Sequence, residues 1–352
     1  MTTIGRVMWR LFARPPFNSP WVAATVSRYG LVTWFAIESV LAVAVVVLDP
    51  RRLFFDARLY LDATRMWLAG GNPWDVVLFG NYFAAPPPTL LPFVPFALLP
   101  PDLGVALVAL AVCVGAFATV RLLHLPWWWL LFPPLVQCVL AANVQALLVP
   151  LILLPGGALA VLLKIYAGFP LAILGRWRSL LVAAAVLGAT LPVLPWSTYI
   201  SEFALISQRL ADQSKYTLPM ELLLLLAPLT LAALVVVGRE RAAWLIVPAI
   251  WPSQQFYYGT LAMPTKSKIA TALIALPVPG NGLLALGALA VVTLQRGDRD
   301  HWRPAGIRWR RVDHRMRARP DSDRIDACAD VFIPGATIGL GTGRIGLVES
   351  GS

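Results

Sequence analysis

The feature that most constrains this chain is a set of long apolar runs with almost no charge in them. Residues 103–120 and 222–237 contain no Asp, Glu, Lys or Arg, and residues 31–48 contain one, Glu38. Roughly 18 to 20 apolar residues is the length at which a helix crosses the hydrocarbon layer of a bilayer. Composition points the same way. Only 13% of the 352 residues are charged and 58% are apolar, whereas a soluble domain carries about 25% charged residues. Too few charges remain to cover a water-facing surface, which excludes a soluble enzyme and a nucleic-acid binder. Three cysteines, Cys113, Cys138 and Cys328, offer neither a disulfide framework nor a CxxC metal site. The expected fold class is therefore all-α, a polytopic integral membrane bundle of about nine to eleven membrane segments with external juxtamembrane helices.

Charge sets the expected orientation. Arg6, Arg10, Arg14 and Arg28 precede the first run with no acid among them, which places the N-terminus in the cytoplasm of a plasma-membrane protein. The first span then delivers residues 49–88, with four Asp and four Arg, to the outer face. Residues 89–99, bounded by Pro86-Pro87-Pro88 and Pro100-Pro101, are too short to cross and are expected as a helix along the outer interface. Arg121, Arg176, Arg178, Arg239 and Arg241 mark returns to the cytoplasm, and Trp127-Trp128-Trp129 form an interfacial belt. Breaks are expected at Pro155-Gly156-Gly157 and at Pro170. Three parts follow: a basic cytoplasmic N-terminus (1–29), a membrane domain (30–295) with external loops at 49–102 and 196–219, and a basic, partly disordered cytoplasmic tail (296–352). The net charge of +11 reads as orientation and affinity for membrane lipids.

Polar groups placed where Leu would serve are functional hypotheses in a membrane, because burying them is costly. Asp56 follows the first span. As a helical residue it has Arg52 at i−4, while Asp62 has Arg58 at i−4 and Arg65 at i+3. Asp56 is thus either a general base or one half of a surface ion pair. Asn143 and Gln145 sit at a helix junction, as helix-to-helix hydrogen-bond partners or as substrate contacts. Lys164 is the single charge in residues 159–174; it snorkels to an interface or points into a cavity that holds an anion. All three histidines, His124, His301 and His314, fall on the expected cytoplasmic side, so an external reaction would use carboxylates as its acid and base. No acidic cluster suits a metal, and no cofactor motif is present.

Several of these segments, taken in order, resemble glycosyltransferase family 87 of the C-type membrane glycosyltransferases. They are Asp56 to Trp74, including Tyr60 and Leu68-Ala69-Gly70-Gly71-Asn72-Pro73-Trp74; Tyr82 with Pro86-Pro87-Pro88; Asn143-Val144-Gln145; and Lys164 through Pro170, ending at Arg176-Trp177-Arg178. The resemblance spans roughly residues 30 to 295. It implies an enzyme that moves a hexose, mannose above all, from a polyprenyl-phosphate sugar donor to a lipid or glycan acceptor on the extracytoplasmic face, with inversion. By the same resemblance Asp56 is the catalytic base. Lys164, Arg52, Arg58 and Arg65 would meet the phosphate, and Tyr60, Asn143, Gln145, Gln255 and Tyr258 would bind substrate. Ile165 stands where members place a proline after the lysine, and Gln254, Gln255, Tyr257 and Tyr258 stand where some carry a late histidine. The alternative is a non-catalytic membrane protein, either a degenerate scaffold or a carrier-lipid transporter; a transporter would show internal repeats, and none is visible.

Overall fold

The computed structural model describes residues 20–295 apart from Lys215, with side chains from Tyr29 onward. The arginines of the extreme N-terminus, the tail from Arg296 and the histidines within that tail lie outside the described residues. What is described is almost entirely helical. The first helix, α1 (Pro20–Leu48), is followed by α2 (Phe55–Leu68), a two-stranded hairpin of β1 (Val77–Leu78) and β2 (Asn81–Tyr82), and the single turn α3 (Val94–Ala97). Helix α4 (Pro101–Leu122) then leads to α5 (Pro133–Ala141) and α6 (Gln145–Leu153). After these come α7 (Gly157–Leu163), α8 (Gly168–Ile173), α9 (Trp177–Thr190), α10 (Trp196–Ser201) and α11 (Phe203–Gln213). The order closes with α12 (Met220–Val237), α13 (Arg239–Ile250), a 3₁₀ stretch Phe256–Thr265, α14 (Lys268–Ile274) and α15 (Asn281–Gln295).

Among the described residues, three helices are long and apolar enough to cross a membrane: Tyr29–Leu48 within α1, α4 and α12. They become four if α5 and α6, bent by 112° at the break between them, count as one span. This is the architecture of an all-α membrane protein. Half of the α4 window is buried, against 17% for α1 and α12, so α4 is the central post while the outer two present Val and Leu to their surroundings. Helices α9 and α15 are apolar but shorter.

Three local expectations are corrected. The segment 89–99 is a 3₁₀ stretch, Pro87–Phe93, running into α3. Pro92 and Pro95 deny it the amide donors of an α-helix, and instead of lying along an interface it buries Leu90 and Phe93. The second break in 157–174 falls at Lys164, which is extended at φ −148°, ψ 109°, and not at Pro170. Pro170 sits in the first turn of α8, where its missing N–H costs nothing. Trp129 is a core residue packed on Phe35 and Phe132, while Trp127 alone of the three is exposed.

Candidate functional site

The start of α2 is fixed from outside the helix. The Phe54 N–H, in left-handed backbone, donates to the Leu140 carbonyl at 2.8 Å, tying α2 to the end of α5. Asp56 therefore lies in the first turn of α2, where a helix favours an anion, and against the α5–α6 break. At that break Ala142 turns left-handed, the Asn143 Oδ1 accepts the Gln145 N–H at 2.8 Å, and the Asn143 Nδ2 donates to the Asp56 Oδ2 at 2.6 Å. One amide thus satisfies the opening of α6 and holds a buried carboxylate. Asp56 is 6% exposed and makes no ion pair among the described residues, and Arg52 pairs with Asp49 instead, so Asp56 is not half of a surface pair with Arg52. Burial raises its pKa to about 6, against lowering by the Asn143 hydrogen bond and by the Lys164 charge.

Tyr60 is one turn further along the same face of α2. Its ring stacks on Phe93 at 4.8 Å and meets Phe83 edge-on, and its hydroxyl accepts a 2.5 Å hydrogen bond from the Lys164 Nζ. Burial and the Asp56 charge push the Tyr60 pKa up, so the phenol keeps its proton and is free to donate it onward. The extended break at Lys164 is what turns this ammonium inward from an otherwise apolar segment. Asp56, Tyr60, Lys164, Gln255 and Tyr258 line one cavity of about 170 Å³.

Other expected site residues lie elsewhere. Arg52 pairs with Asp49 at 2.9 Å, Arg58 donates to the Arg51 carbonyl, and Arg65 donates to Asp62 and to the Ala97 carbonyl. None of the three lines the cavity. Arg52 lies in the 3₁₀ turn before α2, and Arg58 and Arg65 follow Asp56 at helical positions that face away from it, so local pairing takes all three. Asn143 and Gln145 stand behind the cavity wall: Asn143 orients Asp56, and the Gln145 Oε1 accepts from the Tyr166 hydroxyl at 2.5 Å. Among the described residues no group of three or more His, Cys, Asp or Glu could hold a metal ion.

The cavity also has walls that the sequence reading passed over. Gln137, Gln213 and Trp251 line it, as does the hairpin at Asn81 and Tyr82. Among the described residues the Gln137 Oε1 and the Gln213 Nε2 are buried without a hydrogen-bond partner, an acceptor and a donor left open in the residues that line the same cavity as Asp56. Gln137 could have been found, because it is the lone polar residue between Leu130 and Ala142; Gln213 stands among other polar residues, next to Asp212 and Ser214, and carries no such signal. Helix α11 brings Gln213 over the site because the turn after α2 anchors it. The Asn72 Nδ2 donates to Glu202 at 3.0 Å, and Arg209 donates to the Trp74 carbonyl at 2.9 Å while lying 4.3 Å over the Tyr82 ring.

No protein-family model, curated protein or solved structure matches this chain.

Proposed function

We propose that this cavity is the transfer site of a membrane glycosyltransferase. In this reading a hexose, most simply mannose, passes from a polyprenyl-phosphate sugar to a hydroxyl of a lipid or glycan acceptor on the extracytoplasmic face of the plasma membrane. The observation that carries it is that a buried, singly supported carboxylate, Asp56, and a buried-stem ammonium, Lys164, line one cavity with the Tyr60 phenol at hand. The acceptor hydroxyl attacks the anomeric carbon while its proton passes to Asp56. The bond from that carbon to the phosphate oxygen breaks with its electron pair, and polyprenyl phosphate leaves with inverted configuration at the sugar. In this reading the Lys164 ammonium and the Tyr60 hydroxyl offset the charge gathering on the phosphate. A carboxylate with a pKa near 6 is a stronger base than an ordinary one yet is still mostly ionised at neutral pH.

Membranes containing the wild type or Asp56→Asn, incubated with radiolabelled polyprenyl-phosphomannose, test this. Label should appear in a lipid or glycan product with the wild type and be lost in the variant at equal protein level. Equal transfer by both removes Asp56 from the chemistry, and no label above that of membranes lacking the protein returns it to the non-catalytic reading.

A further inference from the structure

A second polar cavity lies at the other end of α13. That helix has 12 residues, about 18 Å. Trp251, just past its end, lines the Asp56 cavity, and Arg241, near its start, lines another with Lys266 and Lys268. The 3₁₀ stretch Phe256–Thr265 runs back down to bring the two lysines to Arg241. The hydroxyl-bearing residues Thr265 and Ser267 share the lining, and among the described residues none of the three cations has a salt-bridge partner. Lys266 holds a left-handed backbone at φ 52°, which costs a non-glycine residue free energy.

Lys268 and Ile269 also border a second hollow, an apolar groove between α14 and the part of α1 where its candidate span begins, walled by Leu31, Trp34, Ala272 and Leu273. The Trp34 indole N–H is buried there without a partner. Gly30 completes the groove within α1, and a Cβ added to it would meet nothing within 4 Å. A glycine inside a helix is destabilising relative to alanine, and here it leaves the groove unfilled.

We propose that the pocket and the groove together hold one anionic phospholipid, its phosphate among Arg241, Lys266 and Lys268 and an acyl chain along Trp34 and Gly30. Clustered cations with no salt-bridge partner among the described residues, sharing Lys268 and Ile269 with an apolar channel beside a candidate span, match a lipid with a charged head and an apolar tail. Charge argues against the chain's own ends as occupants: residues 296–319 hold nine Arg and three Asp, and residues 1–28 hold four Arg and no acid. The inference is independent of the glycosyltransferase reading.

The test uses the full chain, delipidated in neutral detergent, with radiolabelled phosphatidylglycerol as the probe. Saturable binding of one lipid per chain is expected, uncompeted by phosphatidylcholine or by inorganic phosphate. Lys266→Gln/Lys268→Gln, both at exposed positions, should weaken it at least tenfold, and Gly30→Phe should do the same with every charge in place. Binding unchanged in both variants overturns the proposal. So does displacement by inorganic phosphate, which would mark a free-anion site, or sensitivity to the lysines without sensitivity to Gly30, which would leave the groove unused. Gel filtration of each variant confirms that loss of binding is not loss of fold.

Discussion

Asp56 sits in a place that opposes its own charge, and the sign of that opposition can be tested twice. Its pKa is about 6 in the folded chain against 3.8 for an unperturbed group, so between roughly pH 4 and pH 6 the native state holds a proton that the unfolded state has lost. Stability therefore falls as pH rises through that window, by ~3 kcal/mol in total at about 1.4 kcal/mol per unit. Asp56→Asn keeps an acceptor for the Asn143 amide and removes the buried charge. It should melt higher than the wild type at pH 7 and lose the difference near pH 4; thermal unfolding in detergent at the two pH values checks this, and a variant less stable at pH 7 would contradict the assignment. Catalysis runs the opposite way, because the base form is needed. Transfer by the wild type should decline as pH falls through about 6, and Asn143→Ala, which removes a pKa-lowering hydrogen bond, should move that limb to higher pH. For the other partner, Lys164→Met should weaken donor use by ~2 kcal/mol, about 30-fold, if the ammonium meets a phosphate in a water-poor cavity. Steady-state kinetics with varied donor measure it, and an unaltered donor response would mean that Lys164 merely closes the cavity wall on Tyr60.

At the scale of elements, close approach of backbones decides which helices tolerate change. A Cβ on Gly282 would lie 1.8 Å from the Pro248 carbonyl oxygen, where α15 crosses α13, whereas one on Gly287, five residues on in the same helix, would meet nothing within 4 Å. Gly282→Leu should therefore cost folded yield outright. Gly287→Ala should be neutral or stabilising by about 0.4–1 kcal/mol; parallel expression and melting curves separate the two. The same contrast explains what was legible beforehand. Helices α4 and α12 are plain in the sequence because a charge-free run longer than 15 residues has few other solutions. The short elements are not, because their ends are set by tertiary partners: α2 starts where Phe54 meets Leu140, and the chain breaks at Lys164 where its ammonium reaches Tyr60. Asp56 and Lys164 stood out as polar groups in costly places. The flanking arginines do not reach the cavity because proximity in sequence to Asp56 fixes neither the face of α2 that Arg58 and Arg65 occupy nor the separate turn that holds Arg52. Gln213 stayed hidden because only the docking of Asn72 on Glu202 brings α11 over the cavity.

Among the described residues the charges share one polarity with the two polar cavities, the one at Asp56 and the one at Arg241. Helix α4 runs from Asp102 to Arg121, and α12 runs from Glu221 to the join with Arg239. The acidic end of α4 lies toward α2, which carries Asp56, since a Cβ on Gly104 would meet the Phe96 carbonyl and Leu61, and the chain enters α12 from Gln213 of the Asp56 cavity. The basic end of α12 joins α13 at Arg239, two residues before Arg241 of the lysine pocket, and Gly30, near the start of the first candidate span, borders a groove with Lys268 of that pocket. Distribution of Lys and Arg orients membrane proteins with the basic ends in the cytoplasm, so the Asp56 cavity should open outward and the lysine pocket inward. Single cysteines in a chain with Cys113, Cys138 and Cys328 replaced make this measurable. Asp75→Cys, beside the cavity hairpin and exposed, should react with a membrane-impermeant maleimide on intact cells. Glu240→Cys, exposed near the basic pocket, should react only after the cells are permeabilised. The reverse pattern would invert the protein and place the Asp56 cavity on the cytoplasmic side, where the proposed extracytoplasmic transfer could not occur; labelling of both positions from outside would show that the helices between them do not separate two compartments.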